Sequence, residues 1–415
     1  MCVRGLQIRA FVASIGDTFV YADIARPLMR ITEIREHTIP VSRYQDPAVA
    51  SGGLTTSLVA VTTDVMREGK PVIGYGYASI GRFAQGGLIR ERFAPRLLAA
   101  GDRDLDDENG VTLDPFRAWR LMMTGEKPGG HGERCVAVGA LDMAIWDAAA
   151  KMADLPLDRF LADKLGREVG VAPRVAVYAG GGYPYPHDDL ARLSDEIRRA
   201  VDLGFTYVKI KIGNDALDQD LRRIDAAARG LASASHLAVD AMNRFDLATG
   251  LNVARALRGY ALHWFEDICD PLDFATQAAI ASAYGGPIAA GEALFSQAEA
   301  NLLANYGGLT PGRDVLVFDP VHCYGVPGYL RIVETMTAAG WSRDAFWPHG
   351  GHLFSLHLCA ALGLGGAELT PFAFAPFAGL ADGMRVAAGQ IDVPQSPGIG
   401  FETVPAIWQA LQALH

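Results

Sequence analysis

The chain has 415 residues, half of them hydrophobic and a fifth charged, enough for two domains or for one large barrel with additions. Its formal net charge of -10 argues against non-specific nucleic-acid binding, which needs basic surface, and no apolar run reaches the length of a membrane span. The five cysteines, Cys2, Cys135, Cys269, Cys323 and Cys359, are scattered and lack Cys-x-x-Cys spacing, which fits a reduced, cytoplasmic setting.

Near the start, Ala10 to Gly16 is apolar, but Asp17 cuts the run short of a secretory core. Residues 1–28 are therefore expected to be an appendage outside the fold. Met29 opens a strand pattern through Arg35. Two further strands are expected at Thr55 to Thr62 and Pro71 to Tyr77, joined by a turn at Arg67 to Lys70 with Gly69 at the tight position. Glu133 to Met152 reads as a helix, with Val136, Ala140, Met143, Ala144 and Asp147 on or near one face. Strands followed by helices make residues 29–170 an α+β capping domain.

From Arg174 the period changes. Strand-like runs fall at Val175 to Tyr178, Tyr207 to Lys211, Leu237 to Asp240, His263 to Glu266, Pro287 to Ala290, Val315 to Asp319 and Ala345 to Trp347, with an eighth near Leu369 to Phe374. Helical stretches separate them. Such units, roughly 25–30 residues each, add up to a (β/α)8-type barrel over residues 171–375. The open doubly wound sheet competes, but Gly180 to Gly182 lacks the Gly-x-Gly-x-x-Gly spacing of its phosphate turn. Residues 376–415 are expected to return to the cap.

In barrels of this kind the site lies where strands end. Asp240, Glu266 and Glu292 each close an apolar run, and 26 residues separate each from the next. Any one alone reads as a helix N-cap. Three at equal pitch read as a metal site, because buried carboxylates repel one another without a cation. Three oxygens suit a hard ion such as Mg²⁺. Lys209 and Lys211 alternate on one strand and so point to one face. Two adjacent cations and a nearby metal are expected to depress each other's pKa, which would make Lys211 a general base. Lys209 would tune it and bind a substrate anion. Asp319 closes the sixth strand run, one unit before His349, and an Asp that orients an imidazole makes it a competent acid or base. An amine, a metal and an imidazole together suit removal of a proton α to a carboxylate. A base alone contributes roughly 3–5 kcal/mol, so a Lewis acid on the developing enediolate is needed as well.

These residues resemble the enolase superfamily, mandelate racemase subgroup, over roughly residues 29 to 405. The Lys-x-Lys pair, the Asp/Glu/Glu trio and the Asp–His dyad stand in family order. Glu126 to Arg134, Asp270 to Asp273, Pro348 to His352 and Gly363 to Gly366 are further similar to tartrate dehydratases within it. The resemblance implies a modified TIM barrel with an α+β cap formed by both chain ends, and a homo-oligomer. It implies Mg²⁺ on Asp240, Glu266 and Glu292, α-proton abstraction by Lys211, and loss of a β-hydroxyl assisted by His349 with Asp319. Lys127 and Tyr178 are candidate substrate contacts. Met242 stands where the subgroup commonly has Asn, and Met offers a substrate hydroxyl no donor. The expected activity is hydro-lyase dehydration of a small hydroxy-acid or acid sugar. A racemase or epimerase on the same site and a non-catalytic metal-binding barrel are the alternatives.

Overall fold

The structure, a computed structural model, describes residues 29–46, 48–50, 52–78, 84–101, 103–377, 379–380 and 383–415. The expected appendage, residues 1–28, lies outside the described residues. Strand β1 (Ile31–Pro40) pairs antiparallel with β2 (Thr55–Arg67), and β2 with β3 (Lys70–Tyr77). Glu68 and Gly69 turn the hairpin with positive φ at both central positions, 49° and 77°, the arrangement that matches strand twist.

Helix Glu133–Met152 packs on this sheet. It was expected to bury one face, yet every residue from Cys135 to Ala150 is buried. The cause is a second partner on its far side. A Cβ on Gly139 would sit 1.9 Å from the carbonyl oxygen of Val321, so only glycine lets this helix touch the loop that follows Asp319. Three residues on, Asp142 accepts the Val326 N–H at 2.7 Å. That carboxylate satisfies an orphan donor of helix Gly325–Ala338.

The second sheet is parallel and curls into a barrel. Its strands are β4 (Arg174–Gly180), β5 (Tyr207–Lys211), β6 (Leu237–Asp240), β7 (Phe265–Glu266), β8 (Ile288–Ala290), β9 (Val315–Leu316) and β10 (Ala367–Leu369). Each pairs with the next from β4 to β9, and β10 pairs back onto β4. The strand expected at Ala345 to Trp347 is only a bridge from Phe346 to Leu316. Pro348 follows it, and proline has no N–H for a ladder. Its carbonyl accepts the Glu368 N–H at 3.1 Å and carries the ring of strands on to β10.

Seven helices follow the barrel strands, from Asp189–Asp202 to Leu353–Leu362. The eighth unit was expected near Leu369 to Phe374. Its strand starts at Ala367, and no barrel helix comes after it among the described residues. Instead the chain forms β11 (Val386–Ala387) and β12 (Gln390–Asp392). The latter pairs antiparallel with β4. Ile399 then donates to Asp147 of the cap helix at 2.7 Å, and helix Pro405–Gln412 ends against β2. The fold is a modified TIM barrel with an antiparallel N-terminal cap. No helix among the described residues is long and apolar enough to cross a membrane.

Candidate active site

Parallel register brings the first residues together. Lys211 is the cross-strand partner of Asp240, and Asp240 of Glu266. All three therefore stand on one rung at the C-terminal ends of β5, β6 and β7. Glu292 reaches the same level two residues beyond β8. One oxygen each from Asp240, Glu266 and Glu292 lies within 4.8 Å of the others, and all three residues are buried.

This donor set fits a divalent cation. Burial pushes Glu266 up to about 7 against the pull of Lys209, and Asp240 adds to the rise. Burial also raises Asp267 well above the carboxylate range, with Glu292, Asp240 and Glu266 adding to it. A cation relieves such crowding, since it repays both desolvation and repulsion. Hard oxygen donors in this number suit Mg²⁺.

Both lysines have carboxylate partners that the sequence did not show. Desolvation works to lower Lys211, yet Asp240, Tyr183 and Glu292 together outweigh it and hold the ammonium above its ordinary pKa. Lys209 depresses its neighbour only weakly by comparison. It is itself buried and raised, because Glu266 and Glu368 outweigh its desolvation. The cross-strand carboxylates thus decide the matter, rather than repulsion between the amines. Lys209 ion-pairs with Glu266, with Glu368 at 3.3 Å and with Asp240 at 3.7 Å. Lys209 is not among the residues that line the site cavity.

His349 Nδ1 lies 3.0 Å from Asp319 Oδ2. Its Nε2 is 3.3 Å from Glu292 Oε2 and 3.7 Å from Glu368 Oε2. Desolvation works to lower His349, but Glu292, Glu368 and Asp319 together push it up to about 9. Asp319 also accepts the Val321 N–H at 2.7 Å, and it is held well below the carboxylate range against its burial, chiefly by His322 and by His349. His322 packs beside His349, with ring centroids 5.6 Å apart.

A cavity opens between these groups. It is lined by Lys211 and His349 together with Glu292, Glu368, Met242 and Tyr183 among others. Met242, in the left-handed region at φ 52°, lines it where the subgroup commonly has Asn. Asn243 turns instead to Asp267 at 3.1 Å.

Two expected contacts lie elsewhere. Tyr178 packs with Ala238, Trp264, Ala289 and Val317 inside the barrel. It sits two residues below Gly180, which does line the cavity. Lys127 is exposed and is not among the lining residues. Its neighbour Glu126 holds the loop, through ion pairs with Arg92, Arg96 and Arg134. Glu368 went unnoticed in the sequence, although an acidic residue between Ala367 and Leu369 at a strand end is the same signal that marked Glu266.

Residues 192–407 match the model of the family described as enolase C-terminal domain-like. The chain belongs to this family, within the enolase superfamily. It is 30% identical over 284 residues to 3,6-anhydro-alpha-L-galactonate cycloisomerase of Streptomyces coelicolor, covering 68% of this chain and 72% of that one. It is 26% identical to L-talarate/galactarate dehydratase of Salmonella typhimurium, covering 74% and 71%. Among solved structures, L-talarate dehydratase of Polaromonas sp., complexed with Mg and L-glucarate, superposes with a TM-score of 0.67 at 25% identity, covering 90% of this chain and 94% of that one. A putative mandelate racemase from Bordetella bronchiseptica shares the fold, with a TM-score of 0.74 at 22% identity and coverage of 93% and 98%.

Proposed function

We propose that the protein is a Mg²⁺-dependent hydro-lyase that removes water from a hydroxy-acid or acid sugar. The observation that carries this reading is the shared cavity: Lys211 and His349 both line it, with Glu292 of the acidic trio. Asp240, Glu266 and Glu292 would hold Mg²⁺, which supplies Lewis acidity toward the substrate carboxylate.

Lys211 Nζ is the base for the α-proton. Its ammonium is paired with Asp240, so the amine becomes available only when that carboxylate is engaged elsewhere. Lys209 neutralises Glu266 and Glu368 from behind. His349 donates the second proton. Asp319 holds Nδ1, which leaves Nε2 as the nitrogen that turns toward the cavity. Burial works against a proton on this ring, and Glu292, Glu368 and Asp319 favour it. The α C–H proton passes to Lys211, the β C–O bond breaks, and the departing oxygen takes the His349 proton as water. The enol left behind becomes a keto acid.

Relatives named as dehydratases of talarate or galactarate, of arabinonate and of gluconate support the reaction class. The stretches Glu126 to Arg134 and Pro348 to His352 support D-tartrate as the first substrate to try. Proton donors on the same cavity also suit a racemase, in which His349 would return the proton to carbon.

One experiment separates these. The Mg²⁺-loaded protein is given D-tartrate and a panel of acid sugars in D₂O, and keto-acid formation and α-proton exchange are followed by NMR. A keto acid establishes dehydration. Exchange without loss of water establishes racemisation or epimerisation. Silence across the panel, with Mg²⁺ bound, overturns both and favours a non-catalytic barrel.

A further inference from the structure

Asp319 stands between two imidazoles. His349 Nδ1 lies 3.0 Å and His322 Nε2 3.6 Å from the same carboxylate oxygen, Oδ2. All three residues are buried, and each offers a ligand atom within 4.8 Å of the other two. The opposite oxygen, Oδ1, accepts the Val321 N–H, which turns Oδ2 toward the rings. Gly350 keeps room at that oxygen, since a Cβ there would come within 2.7 Å of Oδ2.

On its far side each ring meets the same residue, Glu292. His322 Nδ1 is 3.1 Å from the Glu292 carbonyl oxygen, and His349 Nε2 is 3.3 Å from Glu292 Oε2. A carbonyl only accepts, so His322 carries its proton on Nδ1 and, when neutral, presents the Nε2 lone pair to Asp319. A lone pair and a carboxylate oxygen repel, and a positive centre between them removes the repulsion. Histidines that bind metal almost always set their second nitrogen against a carboxylate or a backbone carbonyl, and that contact fixes the tautomer.

The spacing suits a small ion of borderline softness. Zinc bonds imidazole nitrogen and carboxylate oxygen at about 2.0–2.1 Å in tetrahedral sites, which sets its ligand atoms about 3.3–3.4 Å apart. The two measured edges, 3.0 and 3.6 Å, bracket that separation. Two imidazoles and one carboxylate, with a fourth position left to water, are donors for zinc rather than for Mg²⁺, which keeps to oxygen. The all-oxygen trio has the opposite preference. The cavity reaches the His349 ring and supplies the way in.

We infer that Asp319, His322 and His349 form a second metal site, for zinc or a similar borderline divalent ion, beside the Mg²⁺ oxygens. Binding sends the His349 Nδ1 proton to solvent. The ring is then neutral, and it can give up its Nε2 proton only by becoming an anion. Zinc therefore disarms the acid. The site itself stands apart from the hydro-lyase reading above; the inhibition rests on it.

The test is calorimetry with zinc chloride on the Mg²⁺-saturated protein, with both metals counted after dialysis. One zinc per chain should bind while Mg²⁺ stays. His322→Gln keeps a donor for the Glu292 carbonyl and removes the ligand. Its zinc affinity should fall by more than roughly 100-fold, beyond the cost of losing an outer partner, and its Mg²⁺ affinity should hold. His349→Asn should lose zinc in the same way. No zinc binding, zinc that binds only by displacing Mg²⁺, or a loss within roughly 100-fold in either variant overturns the assignment. Zinc should also cut keto-acid formation by roughly 10²–10⁴-fold while α-proton exchange persists. Zinc bound as expected with dehydration undiminished upholds the site and removes His349 as the acid.

Discussion

Trp264 donates its indole N–H to Glu266 Oε2 at 2.6 Å, from two residues earlier in the chain. The other carboxylate oxygen pairs with Lys209. Glu266 is thus held on both sides before any ion arrives. Partners of this kind orient metal ligands, and their loss costs roughly 10–100-fold in metal affinity. Trp264→Phe keeps an aromatic ring in the barrel interior but removes the donor. Mg²⁺ affinity should fall by that factor in a titration, and turnover should recover when Mg²⁺ is raised to saturation. Unchanged affinity would mean that the indole only fills space.

Lys211→Ala should remove the base and spare the metal site, since Lys211 is not one of the three oxygen donors. Exchange of the substrate α-proton in D₂O should drop by roughly 10²–10⁴-fold, the usual weight of a positioned base. Mg²⁺ should still bind, because loss of the Asp240 pairing frees a carboxylate for it. Exchange at the wild-type rate would exclude Lys211 from this role.

His349→Asn isolates the second half of the reaction. The variant loses the proton donor beside Glu292 and Glu368, while Lys211 stays on the other side of the cavity. Keto-acid formation should fall by roughly 10²–10⁴-fold, and α-proton exchange should persist. Loss of both activities together would show that the two steps share one group. Full turnover would remove His349 as the acid.

The trio was legible in the sequence because its pitch is regular. Equal steps of 26 residues become a single rung once the strands are parallel and in register, as Asp240 and Glu266 are. The helix Glu133–Met152 and the strands Tyr207–Lys211 and Leu237–Asp240 were legible to the residue, since caps and apolar periods bound them. Depth along a strand was not. Tyr178 and Gly180 face the same way, but only Gly180 reaches the cavity, and side-chain alternation is blind to that difference. Glu368 was missed because the eighth run was placed at Leu369 to Phe374, one residue beyond it, whereas β10 is Ala367–Leu369. Lys211 was read without its carboxylate partner for a related reason. Its nearest charge is Asp240, 29 residues away in the chain, and local sequence shows Lys209 instead.

His263 offers a prediction away from the chemistry. Its ring stacks on Tyr207 with centroids 4.2 Å apart, and its Nε2 is buried without a hydrogen-bond partner among the described residues. Burial, helped by the nearby His236, lowers its pKa to about 4. The unfolded chain keeps the ordinary value near 6.5 and so binds the proton first as pH falls. Stability from this residue is therefore complete above about pH 6.5 and is lost progressively toward pH 4. Between about pH 7.5 and pH 5 the loss amounts to about 2 kcal/mol. His263→Phe keeps a ring against Tyr207 and removes the titration. Urea unfolding at the two pH values should show a drop smaller by that amount in the variant than in wild type. An identical drop in both would place the acid sensitivity on other residues.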